Sequence, residues 1–167
     1  LDHLCATSVQ DCLAWCRVGT SNITPAATQT SLGTQVAASW TKVGNSSGTQ
    51  NGLAPYYGWR RITYRFNAGS FSGQNISEVG VGPTQTGNLL CRALILNSSG
   101  TPAAITLLSD EVLDVVYEFR SYAPTEDTVS SLALDVAGTT HSVLVRPVDF
   151  DGPGNTAWSY GLGNSFN

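Results

Sequence analysis

The amino-acid sequence predicts an all-β fold, an antiparallel β-sandwich of jelly-roll type that forms one domain over residues 1–167. Three observations lead to this prediction. Short runs of β-branched and aromatic residues recur along the chain, each closed by Gly, Pro, Asn or Ser, as in consecutive antiparallel strands. The clearest run alternates with the period of two that a half-buried strand requires. No segment shows the periodicity of a long helix.

The two clearest strands are predicted in residues 60–67 and 113–122. Each places apolar and aromatic side chains on one face and charged side chains on the other. The apolar faces are predicted to share one core, made of Ile62, Tyr64, Phe66, Val115, Tyr117 and Phe119. Further strands are expected in residues 75–82, 88–96, 105–108, 129–136 and 139–148.

Residues 20–52 are predicted to form an arm or extended loop. The span contains one weakly alternating segment, residues 35–43, and ends in a polar, Gly-rich stretch, residues 44–52. A compact domain seldom carries so long an irregular segment without a use for it. We therefore expect the span to order against a neighbouring subunit, with a mobile surface loop as the alternative.

The charge and hydropathy of the chain limit the classes of partner that it is expected to bind. Charged residues make up 12% of the sequence, about half the usual share, and the net charge is −4. The cationic cluster Arg60, Arg61 and Arg65 is divided between two strand faces, so the basic stripe of a nucleic-acid binder is missing. No apolar run approaches ~18 residues, and the N-terminal residues lack the pattern of a signal peptide. No nucleic-acid partner and no membrane insertion are expected.

The residues with catalytic chemistry do not form a coherent site in the sequence. Residues 69–73 resemble a nucleophile elbow, but their middle residue is phenylalanine and the strand-to-helix context is absent. His141 lies inside a strand pattern without a second histidine nearby. Asp110, Glu111 and Asp114 read as an acidic turn before a strand rather than as a glycosidase pair. The chain is therefore not expected to be an enzyme.

The metal-ligating residue types are equally scattered, and no metal or cofactor is expected. Asp149 and Asp151 resemble a fragment of a calcium loop without its distal glutamate. Buried free thiols are favoured for the cysteines. The alternatives are a disulfide in the N-terminal segment and a zinc site built from Cys5, Cys12, Cys16 and His3.

Several aromatic residues lie in predicted turns and in the Gly-rich tail. Flat aromatic side chains in such positions stack on sugars or anchor subunit interfaces, where Trp and Tyr are enriched. A third interpretation is that they cover the open ends of a sandwich. The candidate interface or glycan contacts are Trp40, Tyr56, Tyr57, Trp59, Trp158 and Tyr160.

Five strand-like phrases carry a resemblance to a known class of protein. They are residues 15–20 (WCRVGT), 57–66 (YGWRRITYRF), 76–82 (ISEVGVG), 90–96 (LCRALIL) and 107–120 (LLSDEVLDVVYEFR). In this order they resemble structural proteins of tailed bacteriophages, described as tail or tail-fibre-associated virion proteins. The resemblance spans roughly residues 13–122 and contains no catalytic signature.

The resemblance implies a virion component that is made in a bacterial cytoplasm and assembled in many copies. Its implied partners are copies of itself and other virion proteins, and its implied role is that of a tail protein making subunit contacts. Two alternatives stay open. One is a capsid decoration protein, and the other is a carbohydrate-binding module that contacts a host-surface glycan through loop aromatics.

Overall fold

The computed structural model describes residues 9–50, 52–71 and 73–122, together with the backbone of residues 128–133 and 140–145. One helical turn, α1 (Val9–Cys12), precedes a series of strands, so the all-β prediction is confirmed for these residues. The strands are β1 (Trp15–Gly19), β2 (Gln35–Ser39), β3 (Lys42–Gln50), β4 (Tyr57–Phe66), β5 (Asn75–Ile76), β6 (Glu78–Gly82), β7 (Cys91–Leu94), β8 (Ile105–Thr106), β9 (Leu113–Tyr122), β10 (Thr128–Ala133) and β11 (Thr140–Val145).

The strands form two larger sheets and two small ones, and all the pairings are antiparallel. The four-stranded sheet has the order β2-β1-β6-β7, and the three-stranded sheet has the order β3-β4-β9. β5 pairs with β8, and β10 pairs with β11. The chain passes from the first sheet to the second between β2 and β3, over Trp40 and Thr41.

One apolar core receives side chains from both larger sheets. Cys16, Val18 and Val81 enter it from the four-stranded sheet, and Ile62 and Tyr64 enter it from the three-stranded sheet. The ten-residue register of β4 and β9 explains why the predicted core residues meet: Ile62 lies opposite Tyr117, and Tyr64 lies opposite Val115.

The predicted core is confirmed, with a difference in burial between its two strands. The β4 residues Ile62, Tyr64 and Phe66 are buried, whereas the β9 residues are half-buried and pack against them. Since β9 is an edge of the three-stranded sheet, its inner face has a strand neighbour on one side only among the described strands.

The prediction of an arm or extended loop over residues 20–52 is wrong for its second half. Residues 35–39 and 42–50 form β2 and β3, and the long irregular stretch of the span is residues 20–34. The polar segment becomes a strand because seven of its residues, 44–50, pair with β4. As an edge strand it needs little apolar content of its own. The expected docking of this span against a neighbouring subunit stays a prediction.

Candidate interaction surfaces

The outer face of the four-stranded sheet carries very small residues where two loops cross it. Gly19, Gly80 and Gly82 alternate there with larger polar residues. A Cβ atom on Gly80 would lie 2.9 Å from the carbonyl oxygen of Cys91, and one on Gly82 would lie 2.9 Å from that of Asn88. The glycines are therefore required by the close approach of neighbouring backbone.

Glu78 holds the first of these loops, residues 20–34. Its side chain is 0% exposed, and its carboxylate accepts hydrogen bonds from the backbone N–H groups of Thr34 at 2.9 Å, Gly33 at 3.0 Å and Ser21 at 3.2 Å. Burial by itself raises the pKa of Glu78. The bonds from Thr34, Arg92, Gly33 and Ser21 outweigh it, so that the pKa lies below its usual value.

Arg92 completes this anchor. Its Nε donates to the Glu78 carboxylate at 2.6 Å, and its side chain is nearly as buried as that of its partner. Its Nη1 donates to the side-chain oxygen of Gln29 at 2.6 Å, and its Nη2 donates to the carbonyl oxygen of Ile23 at 2.9 Å. Apart from their bond to each other, both ions form hydrogen bonds to the same loop. These bonds satisfy the remaining polar atoms, which a buried ion pair requires.

Arg17 holds the second loop, residues 83–88, and no carboxylate of the described residues pairs with it. The side chain is almost fully buried, and its guanidinium donates to the carbonyl oxygens of Thr84 at 2.9 Å, Gly87 at 2.8 Å and Thr86 at 3.2 Å. Burial lowers the pKa of Arg17. Arg17, Glu78 and Arg92 therefore act as loop anchors, and their polar groups face the chain rather than a ligand.

The outer face of the three-stranded sheet is built differently, and we call it the aromatic–arginine face. The register places its side chains in rows across β3, β4 and β9. The rows are Gln50, Tyr57 and Tyr122; Gly48, Trp59 and Arg120; Ser46, Arg61 and Glu118; Gly44, Thr63 and Val116; and finally Arg65 with Asp114. A loop contacts these rows at one end, where the Gln50 side-chain amide donates to the Leu53 carbonyl oxygen at 3.3 Å.

One end of this face is a cluster of rings and cations. The rings of Tyr57 and Tyr122 lie 5.2 Å apart between centroids at a tilt of 50°. The Arg120 guanidinium lies 4.8 Å from the centre of the Tyr57 ring, and that of Arg61 lies 5.4 Å from the centre of the Trp59 ring. These are cation–π distances. The cluster is preorganised by contacts within the chain.

Trp59 lies across the edge strand. A Cβ atom on Gly48 would lie 2.8 to 3.0 Å from three atoms of the indole, so the ring occupies the space above this glycine. The ring is half-buried, and Tyr122 at the end of β9 is 52% exposed. Aromatic surface is therefore available at this end of the sheet.

Ion pairs occupy the rest of the aromatic–arginine face. Glu118 accepts from Arg61 at 2.6 Å and from Arg120 at 2.6 Å, and Asp114 pairs with Arg65 at 2.7 Å. The hydrogen bonds from Arg120 and Arg61 lower the pKa of Glu118, and that from Arg65 lowers the pKa of Asp114. Since three arginines face two carboxylates, the face carries one net positive charge on a chain of net charge −4.

Trp40 projects from the corner where the chain passes between the two larger sheets, and it is 68% exposed. The corner itself is tied to β4. Ser39 Oγ donates to the carbonyl oxygen of Arg65 and accepts from the Thr41 N–H at 3.2 Å, while the Arg65 N–H donates to the Thr41 carbonyl oxygen at 2.9 Å. The residues on both sides of Trp40 are therefore held by hydrogen bonds to β4, so that the exposed indole projects from a fixed backbone.

A cluster of thiols and phenols lies between the larger sheets. The Cys91 thiol donates to the Tyr117 hydroxyl at 3.6 Å, and the Tyr64 hydroxyl donates to the Leu13 carbonyl oxygen. Burial, reinforced by Cys91, raises the pKa of Cys16 to about 12. Both cysteines pair with Val81 on opposite sides of β6. They are thus two strand spacings, ~9.6 Å, apart, which is too far for a disulfide. The described cysteines are free, and Cys12 and Cys16 are buried, as predicted, whereas Cys91 is half-buried.

The predicted interface residues are only partly brought together. Tyr57 and Trp59 lie on the aromatic–arginine face, Tyr56 is half-buried just before β4, and Trp40 stands apart at its corner. Trp158 and Tyr160 lie outside the described residues.

Sequence reasoning did not select Tyr122 and Arg120 as site residues. The signal that identifies them is the register of β9 on β4, which places Tyr122 beside Tyr57 and Arg120 beside Trp59. This pairing joins residues more than 60 positions apart in the chain, and local periodicity does not reveal it.

The described catalytic candidates Glu111 and Asp114 are engaged by contacts within the chain. Glu111 accepts from the Leu108 N–H at 2.8 Å, within its own turn, and Asp114 is paired with Arg65. His141 lies on β11, and Asp149 lies outside the described residues. Within the part of the chain that the structure describes, no group of three or more His, Cys, Asp or Glu side chains could hold a metal ion.

A groove of about 270 Å³ lies beside β5 and is lined by uncharged residues. Its polar lining is already partly used within the chain, because the Asn75 side-chain oxygen accepts from the Thr106 hydroxyl at 2.7 Å and Ser77 Oγ donates to the Ser21 carbonyl oxygen at 3.0 Å. The other lining residues are Thr20, Asn22, Pro102, Ala103 and Ala104.

Comparisons with known proteins return no match: no family model, no curated protein and no solved structure is similar to this chain. Among the described residues, no helix has the length and apolar character needed to cross a membrane. The candidate surfaces therefore rest on the geometry of this chain alone.

Proposed function

We propose that this chain is a structural protein of a tailed-bacteriophage virion, a tail subunit that makes contacts with copies of itself and with other virion proteins. The proposal combines the resemblance of the strand phrases with the presence of a fixed, exposed anchor at Trp40. Its finer fold in this proposal is a β-sandwich of jelly-roll type. The core shared by the two larger sheets supports the sandwich.

The observation that carries the subunit contact is the Trp40 corner. Tryptophan is enriched among the residues that dominate binding energy in protein interfaces, and an indole held out at 68% exposure leaves much apolar area in water. Burial of that area on a partner contributes ~25 cal/mol per Å². Since the corner is tied to β4 through Ser39 and Thr41, little conformational freedom is lost on docking.

The test compares Trp40→Ala with Leu53→Ala. Leu53 is a matched control because it is 73% exposed but lies in an irregular segment between β3 and β4. Incorporation of each variant into particles is measured in a complementation assay, and circular dichroism checks that it is folded. We expect Trp40→Ala to be folded but poorly incorporated, and Leu53→Ala to behave like the wild type. Equal incorporation of both variants would show that Trp40 does not contribute to the subunit interface.

The position of the chain in the particle separates the tail proposal from the capsid-decoration alternative. Antibodies against the purified chain are applied to particles and located by gold labelling in electron micrographs. Labels confined to the tail support the proposal. Labels over the capsid support a decoration protein, and particles without any label would contradict a virion role.

A further inference from the structure

The geometry points to a second binding surface: we propose that the aromatic end of the aromatic–arginine face binds a saccharide that carries a carboxylate. The residues that would hold it are Tyr57, Trp59, Arg61, Arg120 and Tyr122. This surface is distinct from the Trp40 corner, and the proposal goes beyond a role in subunit contacts.

The rings supply a stacking platform. Tyr57, Trp59 and Tyr122 occupy two adjacent rows of the sheet, which are ~6.8 Å apart along the strands. One face of a pyranose ring presents C–H groups, and these are attracted to the electron-rich face of an aromatic ring. Since Trp59 is positioned over Gly48 and Tyr57 is positioned against Tyr122, the platform is formed before a ligand arrives.

The cations supply charge selectivity. Arg61 and Arg120 both pair with the single carboxylate of Glu118, which leaves one net positive charge beside the rings. Arg61 donates its Nε and one Nη2 hydrogen to Glu118, so three of its five N–H groups are left for another acceptor. A ligand carboxylate would balance the charge and accept these donors.

The dimensions of the face favour a linear ligand. Five rows spaced two residues apart extend ~27 Å along the strands, and three strands extend ~10 Å across them. The resulting area is a few hundred Å², well below the roughly 800 Å² that each partner contributes to a standard protein interface. A short stretch of a saccharide chain lying along the rows fits this area.

Nucleic acid fits the face less well. Its backbone carries a phosphate at every nucleotide, whereas Asp114 and Glu118 place two carboxylates among the arginines of the same face. Stacked bases would find the rings, but the backbone would run past like charges. Single-stranded DNA is therefore included in the test as the competing class of ligand.

The experiment uses isothermal titration calorimetry with carboxylated oligosaccharides. The probes are oligomers of galacturonate, mannuronate and sialic acid, each paired with its carboxyl-reduced counterpart, together with octathymidylate. We expect at least one carboxylated oligomer to bind, and its reduced counterpart to bind about ten-fold more weakly or worse, because the reduced sugar lacks the charged acceptor for the arginine donors.

Two variants locate the binding. Tyr122→Ala removes an exposed ring at the end of β9, and Arg120→Gln removes a cation. Each is expected to weaken binding about ten-fold or more while the far-UV spectrum is unchanged. The matched control is Thr63→Ser on the same face but away from the rings. Trp40→Ala is expected to bind the saccharide normally, so a failure of the subunit proposal is distinguishable from a failure of this one.

Three results would overturn the inference. The first is the absence of binding to every carboxylated oligomer. The second is equal binding of a carboxylated oligomer and its reduced counterpart, which would indicate a site for neutral sugars. The third is binding that survives both variants, or tighter binding of octathymidylate than of any saccharide, which would place the ligand elsewhere or in another class.

Discussion

The outer faces of the two larger sheets differ in what covers them and in how their charges are paired. On the four-stranded sheet, small residues let two loops lie on the strands, and the charges of Arg17 and Glu78 are buried beneath them. On the three-stranded sheet, rings and arginines stand on the surface and the charges pair with one another. Among the described residues, loops thus cover one face, and rings and arginines lie at the surface of the other.

This contrast shows how similar residue types serve different purposes. An arginine on the covered face donates to carbonyl oxygens of a loop, as Arg17 does. An arginine on the open face lies over a ring and shares a carboxylate, as Arg120 does. The residues paired with these arginines also differ: Arg17 lies opposite Gly80, and Arg120 lies opposite Trp59.

The largest expected effect is on the covered face, from Glu78→Ala. The substitution leaves the Arg92 cation buried without its partner and removes the acceptor of three backbone N–H groups. Breaking a buried pair in this way costs about 3–5 kcal/mol. The measurement is urea unfolding followed by fluorescence. A loss as small as that of an exposed residue would show that the loop anchor does not stabilise the fold.

A core substitution gives an effect of similar size and tests the difference between the two strands of the three-stranded sheet. Phe66 on β4 is buried, and Phe119 on β9 is half-buried. We expect Phe66→Ala to lower the free energy of unfolding by about 3–5 kcal/mol, and Phe119→Ala to lower it by less. Equal losses in urea unfolding would contradict the burial of β4 relative to β9.

Gly80→Ala and Gly48→Ala form a matched pair across the two faces. A Cβ atom on Gly80 meets the backbone oxygen of Cys91, which cannot move away, so we expect a loss of about 1–3 kcal/mol. A Cβ atom on Gly48 meets side-chain atoms of Trp59, which can shift by a few tenths of an ångström more readily than backbone. Its loss of stability should be smaller. A reversed order in thermal unfolding would contradict the account of the covered face.

The pH dependence of stability should carry the signature of Glu78. Its folded-state pKa lies below the unfolded value of about 4.3. As the pH falls through this range, the unfolded chain takes up a proton before the native chain does, so the stability present at neutral pH is lost. We expect Glu78→Gln to flatten the decline of the urea midpoint between about pH 5 and pH 3.

The smallest effect is expected from Asp114→Asn on the open face. The pair with Arg65 is exposed on both sides, and exposed ion pairs contribute little because water and salt screen them. Its urea midpoint should lie close to that of the wild type at pH 7. A loss comparable to that of Glu78→Ala would remove the distinction between the two faces.

The sequence predicts the strands whose own residues alternate between apolar and polar. It is less informative for a strand that forms because a neighbouring strand pairs with it. The pattern of Ile62, Tyr64 and Phe66 is local, so the buried face of β4 is predicted correctly, although the strand begins at Tyr57 and not at Arg60. The strand β3 is polar and forms because β4 pairs with it. The register of β3 on β4 depends on both strands, so it cannot be derived from the sequence of either strand alone.

The candidate site divides in the same way. Tyr57 and Trp59 are found from the sequence because aromatic residues in a predicted turn are typical of binding contacts, although the structure places both on β4. Tyr122 joins them only through the register of β9 on β4. The anchoring role of Glu78 is also invisible locally, because its partners Ser21, Gly33 and Thr34 precede it by more than forty residues.

The most direct test of the contrast between the two outer faces is the reactivity of their arginines. The native protein is treated with phenylglyoxal, and modification of each arginine is followed by mass spectrometry and normalised to its rate in urea. The account predicts rapid modification of Arg61, Arg65 and Arg120 and strong protection of Arg17 and Arg92. Modification of Arg17 and Arg92 as fast as that of Arg61 would contradict it.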